Sequence, residues 1–179
     1  MKLPHASSND PLLFSTTLLL YLVGAFLVVA LVALTIALPA VAIFWDEAAA
    51  EIIKEHPAAK TNGLLPAIVM AIGLGGAVVV LAMNFVRKLL QIIRTVADGD
   101  PFDGDNADRL QMMAWLSLAI QIVGVVLGGI AHWISKAIKE VDIHFDGELT
   151  SIILILLLFI LARVFRRGAE MRSELEGTV

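Results

Sequence analysis

Five aspartates fall between Asp98 and Asp108 in the segment R-T-V-A-D-G-D-P-F-D-G-D-N-A-D-R-L, Arg94 to Leu110. Oxygen donors at that density suggest a calcium loop, but an EF-hand needs Gly at its sixth place and a bidentate Glu at its twelfth. Counted from Asp98, those places hold Asp103 and Arg109. The acids are better suited to capping helices and keeping the segment in water. A second set, His56, His132, Asp142, His144 and Asp146, contains groups that ligate zinc or copper. No pair of them has the His-x-x-x-His spacing that presents two imidazoles from one helix face, so no metal is expected. With no cysteine in the chain, thiol catalysis, thiolate metal sites and disulfides are excluded. Asn84, Gln121 and His132 are the notable polar residues within or beside the apolar runs, and Gln121 alone is well inside one. A Gln in that setting joins one helix to another by a hydrogen bond. No acid, base or nucleophile converges with another, so neither an enzyme nor a cofactor is expected.

What must position these residues is set by composition. At 179 residues with 59% hydrophobic content and a mean hydropathy of +0.86, the chain has more apolar surface than a soluble core of its size can hide. Lipid has to serve as part of the solvent. Charged residues make up 17% and gather in short clusters between apolar runs, as exclusion from hydrocarbon requires. The net charge of -4 is too small and too scattered for nucleic acid, and no direct nucleic-acid contact is expected.

The sequence predicts an all-α integral membrane protein, a bundle of four transmembrane helices forming one domain over 1–179. The spans are expected at about 12–44, 64–90, 112–134 and 150–165, each read against the roughly 20 apolar residues that cross about 30 Å of hydrocarbon. Ala40-Val41-Ala42 resembles a signal cleavage site, but the apolar run before it is about twice a signal core of roughly 7–15 residues, so the first helix is expected to stay. The outer loops are 45–63 and 135–149, and the inner loop is 91–111. In 45–63, D-E-A-A-A-E-I-I-K-E-H predicts a short surface helix ended by Pro57, and Asp142 to Asp146 alternates as a short extended segment would. Span two is expected to continue into the cytoplasm through R-K-L-L-Q-I-I-R-T-V before Gly99 caps it and Pro101 prevents its continuing. Trp115 and Trp133 lie about 27 Å apart along a helix and suit the two interfaces. Gly124 and Gly128, with Gln121, are the expected helix-packing residues of span three. Ala71, Gly73, Gly75, Gly76 and Ala77 give span two a smooth side, and such faces could also join two copies in a homo-oligomer.

Orientation follows from Lys and Arg beside the spans. Nine lie with the termini and the middle loop (Lys2, Arg87, Lys88, Arg94, Arg109, Arg163, Arg166, Arg167, Arg172) and four with the other two loops (Lys54, Lys60, Lys136, Lys139). The positive-inside rule therefore places both termini and the 91–111 loop in the cytoplasm.

G-D-P-F followed by N-A-D-R-L, then further spans and the tail F-R-R-G-A-E-M-R-S-E-L-E-G-T-V, resembles the bacterial inner-membrane family catalogued as domain of unknown function 2975 over essentially the whole chain. Gly99, Pro101, Phe102, Asn106, Ala107, Arg109 and Leu110 stand in its loop motif, and Glu174, Leu175, Thr178 and Val179 in its carboxy-terminal signature. The family has no established activity. Many members are encoded beside a small helix-turn-helix transcription regulator, so the resemblance implies a non-enzymatic sensor or anti-regulator that binds such a cytoplasmic protein and holds or silences it. A transport-associated or envelope-stress component is the alternative. The candidate partner surface comprises Gly99, Pro101, Phe102, Asn106, Arg109 and Leu110 of the loop with Arg166, Arg167 and Glu170 of the tail. In a tail helix, Arg166 would lie near Glu170, and Met171 with Leu175 would form an apolar i, i+4 pair. That helix could dock a partner or fold back on the protein's own loop.

Overall fold

The computed structural model describes residues 11–55, 61–138 and 149–176. They form five helices: α1 (Pro11–Ile43), α2 (Trp45–Glu55), α3 (Leu64–Ala97), α4 (Gly104–Ile138) and α5 (Leu149–Glu176). The all-α expectation holds. The N-terminal ten residues, His56, the extended segment expected at 142–146, and Thr178 with Val179 lie outside the described residues.

α1 is apolar on every side, and Phe14, Phe26 and Ile43 are each more than 70% exposed. A helix without a polar face has no stable place in water, because no orientation hides its surface. Leu13–Ile43, Leu64–Ala97 and Gly104–Ile138 are each long and apolar enough to cross a membrane. Helices suit that medium because their backbone groups are satisfied within the segment. Hydroxyls follow the same rule: Thr35 Oγ1 donates to the Leu31 carbonyl at 2.8 Å and Ser117 Oγ to that of Met113 at 3.0 Å. The fourth expected span lies within α5. Its unbroken apolar run, Ile152 to Ala162, is about 16 Å long at 1.5 Å per residue. α2 is the expected surface helix. Trp45, Ala49 and Ile52 make its half-buried stripe, while Asp46, Glu47, Glu51 and Lys54 are exposed.

α3 runs on to Ala97 and α4 begins at Gly104, so the expected loop of 91–111 contracts to the turn 98–103. Likewise α4 continues past 134 to Ile138, and α5 carries the tail without a break as far as Glu176.

The described chain separates into two compact units. One comprises Met1–Phe26, Ala82–Ala119 and Glu148–Val179; the other comprises Leu27–Leu81 and Ile120–Gly147. The first holds the main buried cluster: Ile92 of α3, Leu110, Met113 and Ala114 of α4, and Leu158 and Ala162 of α5. Phe85, Leu89, Phe159, Leu161 and Phe165 pack against it, and Trp115 meets Phe159 edge to face with ring centroids 5.4 Å apart. Arg94 donates to the Tyr21 hydroxyl at 3.1 Å, tying α1 to α3.

In the second unit Leu64 is fully buried. Gly63, with φ +89°, lies under the Trp133 ring, where an added Cβ would be 3.2 Å from Cη2. The small-residue faces differ from expectation. A Cβ added at Gly73, Gly76 or Gly124 would meet nothing within 4 Å, and one at Gly75 would only touch Leu34 at 3.9 Å. Gly124 thus has open space beside it among the described residues, whereas Gly128 is buried. Gln121 is half-buried and makes no side-chain hydrogen bond among the described residues.

Candidate functional site

The turn 98–103 begins with a helix stop. Gly99 has φ +82°, a left-handed conformation that costs glycine little, and its N–H donates to the Val96 carbonyl at 3.1 Å while the Asp100 N–H reaches back to Thr95 at 2.9 Å. These two bonds make a Schellman motif and satisfy carbonyls that α3's end would otherwise leave bare. Asp103 starts the next helix: its carboxylate accepts from the Asp105 N–H at 3.1 Å, and its carbonyl accepts from the Asn106 N–H at 2.9 Å. Thus Asp103 serves as the cap.

Between these ends sits Asn106, which is 0% exposed. Its amide nitrogen donates to Thr95 Oγ1 at 2.7 Å and to the Pro101 carbonyl at 3.0 Å, while its oxygen accepts from Arg109 Nη1 at 2.7 Å. Thr95 in turn donates to the Ile92 carbonyl at 2.8 Å. One side chain thereby ties the last turn of α3, the turn itself and the first turn of α4. Every partner it needs is present, and no buried side-chain nitrogen or oxygen among the described residues lacks one. Arg109 also reaches Asp105 at 3.0 Å and Asp103 at 3.7 Å.

The tail closes over this hairpin. Phe102 stacks at 41° on Phe165 with centroids 5.5 Å apart. A Cβ built on Gly168 would fall 2.6 Å from Phe102 Cδ1 and 2.8 Å from Cε1, so the missing side chain of Gly168 is the seat of the ring. Arg166 Nη2 donates to Asp108 Oδ1 at 2.7 Å and to Gln111 Oε1 at 2.9 Å, and Arg172 pairs with Asp100. Both ion pairs are substantially exposed and contribute about 0–1 kcal/mol each. The apolar contact gives the closure its register, and the ion pairs guide it.

Gly99, Pro101, Phe102, Asn106, Arg109, Leu110 and Arg166 are therefore brought to one junction. Several play other parts than a free contact surface would give them: Asn106 and Leu110 are buried and Gly99 stops a helix, whereas Phe102 remains 43% exposed beside its seat. Arg166 pairs with α4 rather than Glu170, because α4 brings a carboxylate and an amide within its reach. Arg167 and Glu170 line a groove of about 600 Å³ with Arg163, Arg166 and Gln111. Met171 and Leu175 are mostly exposed. Gly124, Gly128 and Gln121 belong to the other unit. Gly168 is the residue sequence reasoning missed. Its one signal was a glycine inside a run of good helix formers, which costs the helix stability unless packing requires it.

The fold and junction define a class: an all-α membrane protein with three apolar helices of spanning length and a hydrogen-bonded helical hairpin closed by its own tail. The chain belongs to the family described as "Protein of unknown function (DUF2975)", whose model matches residues 12–179. Comparison with curated proteins and with solved structures gave no match.

Proposed function

We propose that this chain is a non-enzymatic, multi-pass protein of the bacterial inner membrane, with four spans and both ends in the cytoplasm. On this reading the turn and tail form a surface that holds a cytoplasmic helix-turn-helix transcription regulator. The observation that carries it is the convergence of the exposed Phe102 ring, the motif residues around it and the tail on one water-compatible junction. Arg87, Lys88, Arg94, Arg109, Arg163, Arg166, Arg167 and Arg172 all fall in the unit that contains the junction, as a cytoplasmic end requires. α5 completes the fourth span if Leu149 to Ser151 enter the membrane and Arg163 snorkels to the interface. The class of partner rests on the family resemblance. Because the closing ion pairs are weak, a partner can displace the tail from Phe102 without breaking the core beneath.

A photo-crosslinker placed at position 102 in cells tests the reading. It should capture a DNA-binding helix-turn-helix protein, identified by mass, and Phe102→Ala should release that protein from the membrane fraction. Crosslinks confined to the chain's own tail would contradict it. Transport is not advanced, since no Asp, Glu, Lys or Arg lies in 12–44, 64–86 or 112–134.

A further inference from the structure

One face of α5 changes character along its length. Leu156, Phe159 and Ile160 line the groove beside α4, followed one turn on by Arg163, then by Arg167, and finally by Glu170. Spacings of three and four residues keep all six on one side of the helix. The groove, at about 600 Å³, lies within the roughly 300–1,000 Å³ of small-molecule sites. Arg166 also lines it, but its charge is engaged by Asp108. Arg163 and Arg167 have no ion pair among the described residues and are exposed. The groove thus presents two uncommitted guanidiniums and one carboxylate above an apolar wall.

We infer that this groove binds an anionic phospholipid whose headgroup carries hydroxyls, of the phosphatidylglycerol type. An acyl chain lies along Leu156, Phe159 and Ile160, the phosphodiester sits on Arg163 and Arg167, and the headgroup hydroxyls donate to Glu170. Arginine suits this task because its planar fork meets phosphate oxygens in pairs. The excess of one positive charge among the uncommitted groups is neutralised by a single phosphodiester, which favours an anionic lipid over a zwitterionic one. Basic pockets between helices at the cytoplasmic face recognise anionic headgroups in the same manner. The inference rests on the membrane reading above, but not on the transcription regulator.

The test uses the full chain purified in a neutral detergent and titrated separately with short-chain phosphatidylglycerol, with phosphatidylcholine of equal chain length and with inorganic phosphate, bound lipid being counted by native mass spectrometry. Phosphatidylglycerol should bind saturably and at least about tenfold more tightly than phosphatidylcholine, with inorganic phosphate a poor competitor. Arg163→Gln with Arg167→Gln should remove that preference while leaving helix content unchanged, since both side chains are exposed. Equal binding of the two lipids, a preference that survives the double substitution, or competition by phosphate alone as strong as by the lipid would each overturn the inference. Carbonate extraction of cell membranes separates the two levels. A chain released by carbonate would sink the membrane reading and the lipid site together, whereas a chain that stays embedded without lipid preference would sink the site alone.

Discussion

Asn106 determines how the hairpin between α3 and α4 is built, because alone among the described residues its side chain bonds to both helices and the turn between them. An aspartate there would lose both amide donors, and an apolar residue would remove the side-chain bonds to Thr95 and the Pro101 carbonyl and one of those to Arg109, which would keep Asp105. Asn106→Ala is expected to destabilise the protein by about 1–3 kcal/mol, the cost of removing a buried amide from three half-buried partners. Thermal unfolding in detergent checks this, and an unchanged midpoint would contradict it. The sequence marked Asn106 as part of a motif but gave no sign that it is buried. That depends on Thr95 facing it across a six-residue turn, a relation between two helix faces that periodicity within either helix does not encode. Gly99 was legible because its requirement is local: a helix followed by D-G-D-P has to stop, and glycine accepts the left-handed conformation needed to do so.

At the scale of elements, the notable event is the return of α5 onto the turn that precedes α4. Gly168 permits it. By helix propensity alone Gly168→Ala should stabilise α5 by about 1 kcal/mol, yet a methyl group 2.6 Å from Phe102 Cδ1 forces the ring off its seat. The two effects act at different places and are separable. Limited proteolysis in detergent should cut the 98–103 turn several-fold faster in Gly168→Ala, even where overall melting is unchanged or raised. Arg172→Ala, which removes the exposed pair with Asp100, should speed the cutting less than Gly168→Ala does. Equal rates in the wild type and Gly168→Ala would show that the seat does not hold the turn. The helices themselves were largely legible. The apolar runs, the acidic surface helix α2 and the extension of α3 past Arg87 follow from composition and from stop signals that act over a few residues. The expected partner of Arg166 was misplaced because an i, i+4 rule sees one helix at a time, whereas Asp108 reaches it from α4.

For the whole molecule, lipid as the surrounding solvent explains what packing inside the chain does not. Exposed Phe14, Phe26 and Ile43, and glycines at 73, 76 and 124 with empty space beside them, would be faults in water but are ordinary in hydrocarbon. Charge sorting was legible because it is a count along the chain, and its basic majority falls in the unit containing the junction. A face closed by the chain's own tail was not, since such closure depends on contacts between residues 55 to 72 positions apart.

Because the chain contains no cysteine, a single introduced thiol reports its own side of the membrane. The most direct measurement compares Asp98→Cys in the turn with Glu47→Cys on α2, labelled in cells with a permeable outer envelope by a maleimide that cannot cross the inner membrane. Glu47→Cys should react at once, and Asp98→Cys only after the inner membrane is opened. Labelling of Asp98→Cys in cells whose inner membrane is intact would put the junction outside the cytoplasm and contradict the account.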